Sequence, residues 1–190
     1  MFRVILALML CGLALVAQAE PRRYTLVPDK SVVEFTYLLN GRPEHGTMPM
    51  AWAEIGIDFA EVPQSFARVG LDVRGATADA MLAAAALKSR EVLNAAEFPE
   101  IRFESQTVTG ALREGVEIDG QVTLRGVTRP MRLTGGVYRP RGSAEDDLSR
   151  LIVILTGTLD RSAFGATGFS GVVADRVELR ITAHLRATEH

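Results

Sequence analysis

Residues 168–172, Gly-Phe-Ser-Gly-Val, come close to the Gly-x-Ser-x-Gly turn that exposes the nucleophilic serine of many hydrolases. The second glycine stands one place too early, and Val172 occupies the position that must be glycine. Gly165, Gly168 and Gly171 recur every three residues, but no strand followed by a helix surrounds them, as a phosphate-binding loop requires. We interpret the stretch as a glycine-rich loop at the rim of the fold.

The titratable side chains form no recognisable catalytic or metal-binding group. The three histidines, His45, His184 and His190, lie far apart in the sequence. Asp146 and Asp147 are adjacent in a charged stretch, where nothing indicates the burial that would raise a carboxylate pKa into the catalytic range. The sequence therefore predicts a protein that is not an enzyme and binds no metal or cofactor.

A large set of apolar side chains remains, and for these residues we predict a binding role. They can pack against one another as an ordinary core, or line a cavity for an apolar ligand, and residue types alone leave both open. Methionines beside a tryptophan favour the cavity, because thioether side chains adapt to a flexible apolar guest. The set comprises Phe35, Tyr37, Met50, Trp52, Phe103, Val122, Leu124, Met131 and Phe164.

Alternation of apolar and polar residues places most of this set on strands. From Ile118 to Leu133 the alternation is interrupted at Arg125-Gly126, where glycine can take the positive φ of a tight turn, and this predicts an antiparallel hairpin. Met48, Met50 and Trp52 share one face of a further predicted strand. Val177 to Leu185 gives the most regular alternation in the chain.

One segment has a different period. Ala78 to Leu87 is rich in the strongest helix formers, and Thr77 is a possible N-cap. About eight strands and this helix can be counted, without the βαβ alternation of a parallel sheet. We therefore predict an all-β fold, an eight-stranded antiparallel barrel with one inserted α-helix. Barrels of that size either fill with side chains or hold one small ligand.

The first nineteen residues have the pattern of a cleavable secretory signal peptide. Arg3 precedes an apolar run from Val4 to Val16, and Ala17-Gln18-Ala19 is a small-x-small cleavage signal. The run is shorter than the roughly 20 residues that span a bilayer. We expect a periplasmic protein consisting of one domain, residues 20–190, without an integral membrane segment.

Composition limits the partners and the stabilising devices of this domain. Cys11, the single cysteine, lies inside the signal segment, so neither disulfides nor thiolate metal sites are expected. Without Arg3 the formal net charge goes from −2 to −3, which gives no electrostatic case for binding nucleic acid. Nothing in the sequence indicates an oligomeric state.

Four motifs in this order resemble those of the YceI-like family of periplasmic lipid- or polyisoprenoid-binding proteins. The resemblance spans nearly all of residues 20–190. The motifs are DKSVVEF at 29–35, LKS at 87–89 followed by FPEIRFES at 98–105, GQVTLRGVTRP at 120–130, and RSAFG at 161–165 followed by DRV at 175–177.

The resemblance implies a lipocalin-like barrel whose apolar tunnel holds a long isoprenoid chain. It favours non-enzymatic carriage or sequestration of an isoprenoid or quinone-like lipid. The alternative is a solid-core interaction module that binds a periplasmic or respiratory protein through its loops. Departures from the family pattern fall where a ligand would matter, because Lys30 and Leu39-Asn40 replace common histidines and Val92-Leu93 replaces aromatic residues.

Overall fold

The computed structural model describes residues 20–79, 83–112 and 114–188. The predicted signal peptide therefore lies outside the described residues. The described part contains ten strands and one α-helix: β1 (Arg22–Leu26), β2 (Val32–Leu39), β3 (Arg42–Ile57), β4 (Phe66–Asp72), β5 (Thr77–Ala78), α1 (Ala83–Lys88), β6 (Glu100–Ala111), β7 (Gly115–Leu124), β8 (Val127–Tyr138), β9 (Arg150–Asp160) and β10 (Arg176–Ala187).

Eight of the strands close into an antiparallel barrel, as predicted. The order around the barrel is β2-β3-β4-β6-β7-β8-β9-β10, and β10 pairs with β9 on one side and with β2 on the other. The two extra strands, β1 and β5, continue the places of β2 and β4 in the sheet and add no new place to the barrel. β1 pairs with β10 and β3 beyond the start of β2, while β5 pairs with β3 beyond the end of β4.

Proline separates β1 from β2. Pro28 opens a 3-10 turn over Pro28–Lys30, where its missing N–H is not needed. The buried Ser31 then reconnects the chain to the barrel. Its hydroxyl donates to the Val27 carbonyl at 2.8 Å and accepts the backbone N–H of His184, on β10, at 3.0 Å. β1 and β2 thus occupy the same place in the barrel, between β10 and β3, with the 3-10 turn between them.

The barrel has two different ends. At the α1 end lie the β2–β3 turn, α1 with the segment 89–99, the β7–β8 turn and the segment 161–175. The opposite end carries the loop 58–65, the β6–β7 turn and the loop 139–149. Among the described residues no helix has the length and apolar character to span a bilayer.

The predicted helix begins later than expected. Thr77 and Ala78 are in strand β5, paired with Thr47 and Gly46, and the Thr77 hydroxyl bonds the Thr47 hydroxyl at 2.8 Å instead of capping a helix. The described helical residues are Ala83–Lys88. Strand pairing on β3 outweighs helix propensity here, because propensity differs by only tenths of a kcal/mol between residue types.

The hairpin predicted at Arg125-Gly126 is present. Arg125 has φ 52° and Gly126 has φ 74°, so both turn residues are left-handed, as a two-residue hairpin turn of type I′ requires. The Arg125 guanidinium also donates to the carbonyls of Arg90 and Val92, at 2.8 and 2.6 Å. The turn therefore fixes the segment 89–99 at the α1 end.

Replacing Gly126 with valine should destabilise the protein by roughly 1 to 3 kcal/mol, because a β-branched residue is strained at positive φ. A Cβ at this position would also approach the Phe98 ring at 3.1 Å. Denaturant unfolding measures the loss. Gly126→Asn is the control, because asparagine tolerates left-handed backbone, and its loss should be clearly smaller. Equal losses for the two variants would contradict the backbone explanation.

Candidate functional site: an apolar cavity along the barrel

The barrel encloses a cavity of about 430 Å³. Side chains from β2, β3, β4, β6, β7, β8, β9 and β10 line it, and α1 and the segment 161–175 contribute at one end. This volume lies within the range of roughly 300 to 1,000 Å³ typical of ligand sites and far exceeds a one-water packing defect. The interior is therefore not a filled core, and its open space has the volume of a ligand site.

Most of the predicted site residues lie on the cavity wall. Phe35, Met50, Val122, Leu124 and Met131 are all under a tenth exposed. Tyr37 and Phe103 are partly buried. The predicted residues that line the cavity are Phe35, Tyr37, Met50, Phe103, Val122, Leu124 and Met131.

Trp52 does not line the cavity, and its assignment to the interior is wrong. The pairing of β3 with β4 shifts between Met50 and Trp52, a bulge that reverses which residues point inward. Trp52 is 41% exposed, and its indole N–H donates to a carboxylate oxygen of Glu100 at 2.7 Å on the outer face. Gly70, the register partner of Trp52, lies beneath the indole.

Phe164 is also misassigned, for a different reason. It lies in the 3-10 turn Arg161–Phe164 that follows β9, and not on a barrel strand. Its ring is 3% exposed and belongs to the buried core, but does not border the cavity. Alternation could not place it, because a 3-10 turn does not follow the period of two.

Strand alternation could have identified further lining residues that the predicted set omitted. Each alternates with exposed or half-exposed neighbours on its strand, so the signal was present in the sequence. These residues include Val33, Met48, Ile101, Ile118, Leu133, Leu155, Leu179 and Ile181.

Two inward-facing glycines keep the bore open. The Phe35 ring lies against Gly46, its partner on β3, and the Phe103 ring lies against Gly120 on β7. A Cβ at either glycine would overlap the ring. The absence of a side chain therefore makes room for both rings beside the wall, where they contribute apolar surface to the lining.

One charged side chain, Arg161, is found among the described residues that line the cavity. It is 8% exposed, and its guanidinium donates four hydrogen bonds to backbone carbonyls. Nε bonds Ala174 at 3.1 Å, and Nη2 bonds Val173 at 3.0 Å. Nη1 bonds both Ala166 and Gly168 at 2.7 Å.

These four hydrogen bonds fix the backbone of the loop at the α1 end around the Arg161 guanidinium. In the described part of the chain no carboxylate lies within 4 Å of the guanidinium. Carbonyl dipoles therefore compensate the buried charge, and removing the arginine would leave four carbonyls without this donor. No alternation or composition signal distinguished Arg161 from the exposed arginines.

Further hydrogen bonds tie the same loop to the barrel. The backbone N–H of Asn40 donates to Val172 at 2.7 Å, that of Ala174 donates to Leu38 at 2.9 Å, and Leu39 forms a bridge with Val173. Together these contacts hold the segment 166–174, which we call the mouth loop, beside the end of β2.

The carboxylate of Asp175, directly after the mouth loop, connects the end of that loop to the 3-10 turn Arg161–Phe164. Hydrogen bonds from the Ser162 hydroxyl and backbone N–H, at 2.7 and 2.8 Å, hold the pKa of Asp175 below its ordinary value. The folded state thus favours the carboxylate, and this contribution to stability is lost as the pH falls through the lowered pKa.

The electrostatics of the cavity favour an uncharged guest. Burial raises the pKa of Tyr37, and the nearby carboxylates of Glu44 and Asp79 act in the same direction. Tyr37 is therefore neutral at physiological pH. No cluster of three metal-ligating side chains occurs among the residues described. The arrangement can enclose an apolar molecule, and within 20–79, 83–112 and 114–188 the lining brings no acid, base and nucleophile together.

The model of the YceI-like domain family matches residues 24–185, which is nearly the whole barrel. The chain belongs to the YceI-like family. No curated protein sequence matches this YceI-like chain significantly.

Solved structures share the YceI-like fold at low sequence identity. Burkholderia cenocepacia BcnA is 20% identical, with a TM-score of 0.73 over 86% of this chain and 99% of that one. A polyisoprenoid binding domain from Saccharophagus degradans, implicated in plant cell wall breakdown, is 14% identical, with a TM-score of 0.63 over 88% and 99%. The Campylobacter jejuni YceI protein is 17% identical, with a TM-score of 0.61 over 73% and 81%.

Arg161→Lys should destabilise this YceI-like barrel by at least about 2 kcal/mol, because an ammonium group cannot reproduce the planar guanidinium and leaves buried carbonyls unpaired. Amide hydrogen exchange in 166–174 should accelerate together with the loss measured by denaturant unfolding. Arg129→Lys, at an exposed arginine on β8, is the control and should stay within about 0.5 kcal/mol of the parent. Unchanged exchange in the mouth loop would contradict the organising role of Arg161.

Proposed function

We propose that this YceI-like protein binds a long apolar lipid of the isoprenoid or quinone-tail type inside its barrel and carries or sequesters it without chemical change. The observation that carries the proposal is the cavity of about 430 Å³ whose lining is almost entirely apolar. Burial of apolar surface stabilises such a complex by about 25 cal/mol per Å² removed from water, before the entropic cost of binding is counted.

The shape of the lining supports an elongated guest. On β3 alone it extends from Met48 to Ile57. At about 3.3 Å per residue this is roughly 30 Å along the strand, or about 20 to 25 Å along a barrel axis tilted by roughly 40°. An extended hydrocarbon chain fits this length better than a compact ring system does. The polyisoprenoid binding domain with the same fold supports an isoprenoid chain as the guest.

The groups around the cavity support binding without a reaction. The charged side chain found among the described lining residues, Arg161, uses four of its five N–H donors on backbone carbonyls and is held in the loop by them. Tyr37 supplies a neutral hydroxyl. The open cavity also disfavours the alternative function, a solid-core interaction module, because that module needs a filled interior.

The periplasm is the proposed location, supported by the signal-peptide pattern of residues 1–19. Expression of the full chain in a Gram-negative host should yield an exported protein that begins at Glu20. N-terminal sequencing of the periplasmic fraction measures this directly. A product that retains Met1 and stays with the membrane would contradict the proposal.

Organic extraction of the purified protein, followed by mass spectrometry, should release a long-chain isoprenoid or quinone lipid in near-stoichiometric amount. The Leu124→Trp variant sharpens the test, because Leu124 lines the cavity. Its indole can occupy space meant for the guest, so the barrel should stay folded and lose or shorten the extracted lipid.

The matched control is Leu185→Trp. Leu185 is 1% exposed and does not border the cavity, so the larger side chain should overpack the core and destabilise the protein by about 1 to 3 kcal/mol. Thermal melting and extraction are measured on the same preparations. A parent protein without lipid, together with equal destabilisation of both variants, would defeat the carrier function.

A further inference from the structure

Three of the six large apolar side chains that are exposed among the described residues lie at the α1 end, where the mouth loop meets the end of β2. Leu38 is 42% exposed, Phe169 is 52% exposed and Val172 is 43% exposed. The hydrogen bonds between Asn40 and Val172 and between Ala174 and Leu38 place the mouth loop beside the end of β2. The Phe169 carbonyl accepts the backbone N–H of Val172 at 3.0 Å, which places Phe169 in the same turn. We call Leu38, Phe169 and Val172 the apolar rim.

Phe169 is unfavourable for folding in two ways. About half of its ring surface is in water, and its backbone has φ 57°, a left-handed conformation that is a genuine outlier for a bulky residue. Strain of this kind typically costs stability and is found at functional sites. Asparagine or glycine would satisfy the turn better, so the fold alone does not explain a phenylalanine here.

The rim is continuous with the cavity. Phe169 and Val172 border the interior, as Leu39 and Val173 do, so apolar surface extends from the bore to the outside. The mouth loop that presents the rim is fixed by the four Arg161 bonds. The exposed side chains are thus presented by a loop that hydrogen bonds hold in place.

We propose that the apolar rim inserts into the surface of a lipid bilayer, so that a lipid passes between the bilayer and the cavity without crossing water. The inference rests on the proposed lipid-binding function. Exposed charges of both signs lie at the α1 end. The positive residues include Arg42, Arg90 and Arg176, and the negative residues include Asp79, Glu91 and Asp175. Apolar insertion, and not attraction to anionic headgroups, therefore supplies the contact, and it depends little on salt.

The test compares Phe169→Asn with Tyr138→Asn. Asparagine accepts the left-handed backbone at 169, so this variant should melt at or above the parent temperature. Tyr138 is the matched control, because it is 53% exposed and lies at the opposite end of the barrel. The probe is a dansyl-labelled prenyl alcohol in phosphatidylcholine vesicles. Its arrival in the cavity is followed by energy transfer from Trp52, the single tryptophan of the chain.

Transfer from vesicles to Phe169→Asn should be slower by roughly fivefold to tenfold, since the variant loses the burial of half a phenyl ring in the bilayer. Tyr138→Asn should match the parent. Because Phe169 borders the cavity, each vesicle rate is divided by the occupancy that the same protein reaches when the probe is delivered from detergent. Raising the salt concentration should leave the vesicle rates nearly unchanged.

The outcomes separate the inference from the function on which it rests. Equal vesicle rates for Phe169→Asn and the parent, with normal loading from detergent, would overturn the rim as a bilayer contact while leaving lipid binding intact. Equal slowing of both variants, or a steep salt dependence of the vesicle rates, would also overturn the rim as a bilayer contact. No energy transfer from either source, even in the parent, would instead overturn lipid binding itself.

Discussion

Closure of the sheet by β10 is the constraint on which the rest of the structure depends. β10 pairs with β9 from Arg176 to Arg186 and with β2 from Glu178 to Thr182, and its last residues pair with β1. If this strand were unpaired, β9 and β2 would become free edges and the apolar inner face would be open to water. One strand thus converts a curved sheet into an enclosed space.

Glycines beneath aromatic residues leave part of the enclosed space unfilled by side chains. Phe35 lies on Gly46 and Phe103 lies on Gly120, so aromatic surface is added to the wall without closing the bore. An unfilled interior forgoes dispersion contacts that a packed core would make. The continuous ladders and the buried residues outside the cavity, such as Leu151 and Leu185, offset that loss.

Much of this architecture could be predicted from the sequence, because a half-buried strand alternates visibly. Alternation placed Phe35, Val122 and Leu124 inward, and Gly126 marked the hairpin. It failed at Trp52, where one extra residue in β3 reversed the faces, since a bulge depends on the partner strand. It was silent on Arg161, because a guanidinium that bonds backbone carbonyls leaves no pattern among side chains.

The closed ladder also has a kinetic consequence. Because each barrel strand is bonded to neighbours on both sides, the wall cannot separate sideways without breaking several hydrogen bonds at once. A hydrocarbon chain of the kind proposed as the guest must therefore leave lengthwise through an end, withdrawing one methylene group after another from apolar contact. Dissociation should then slow with every unit added to the chain, while association through an unchanged opening varies little, so residence time would discriminate long guests from short ones.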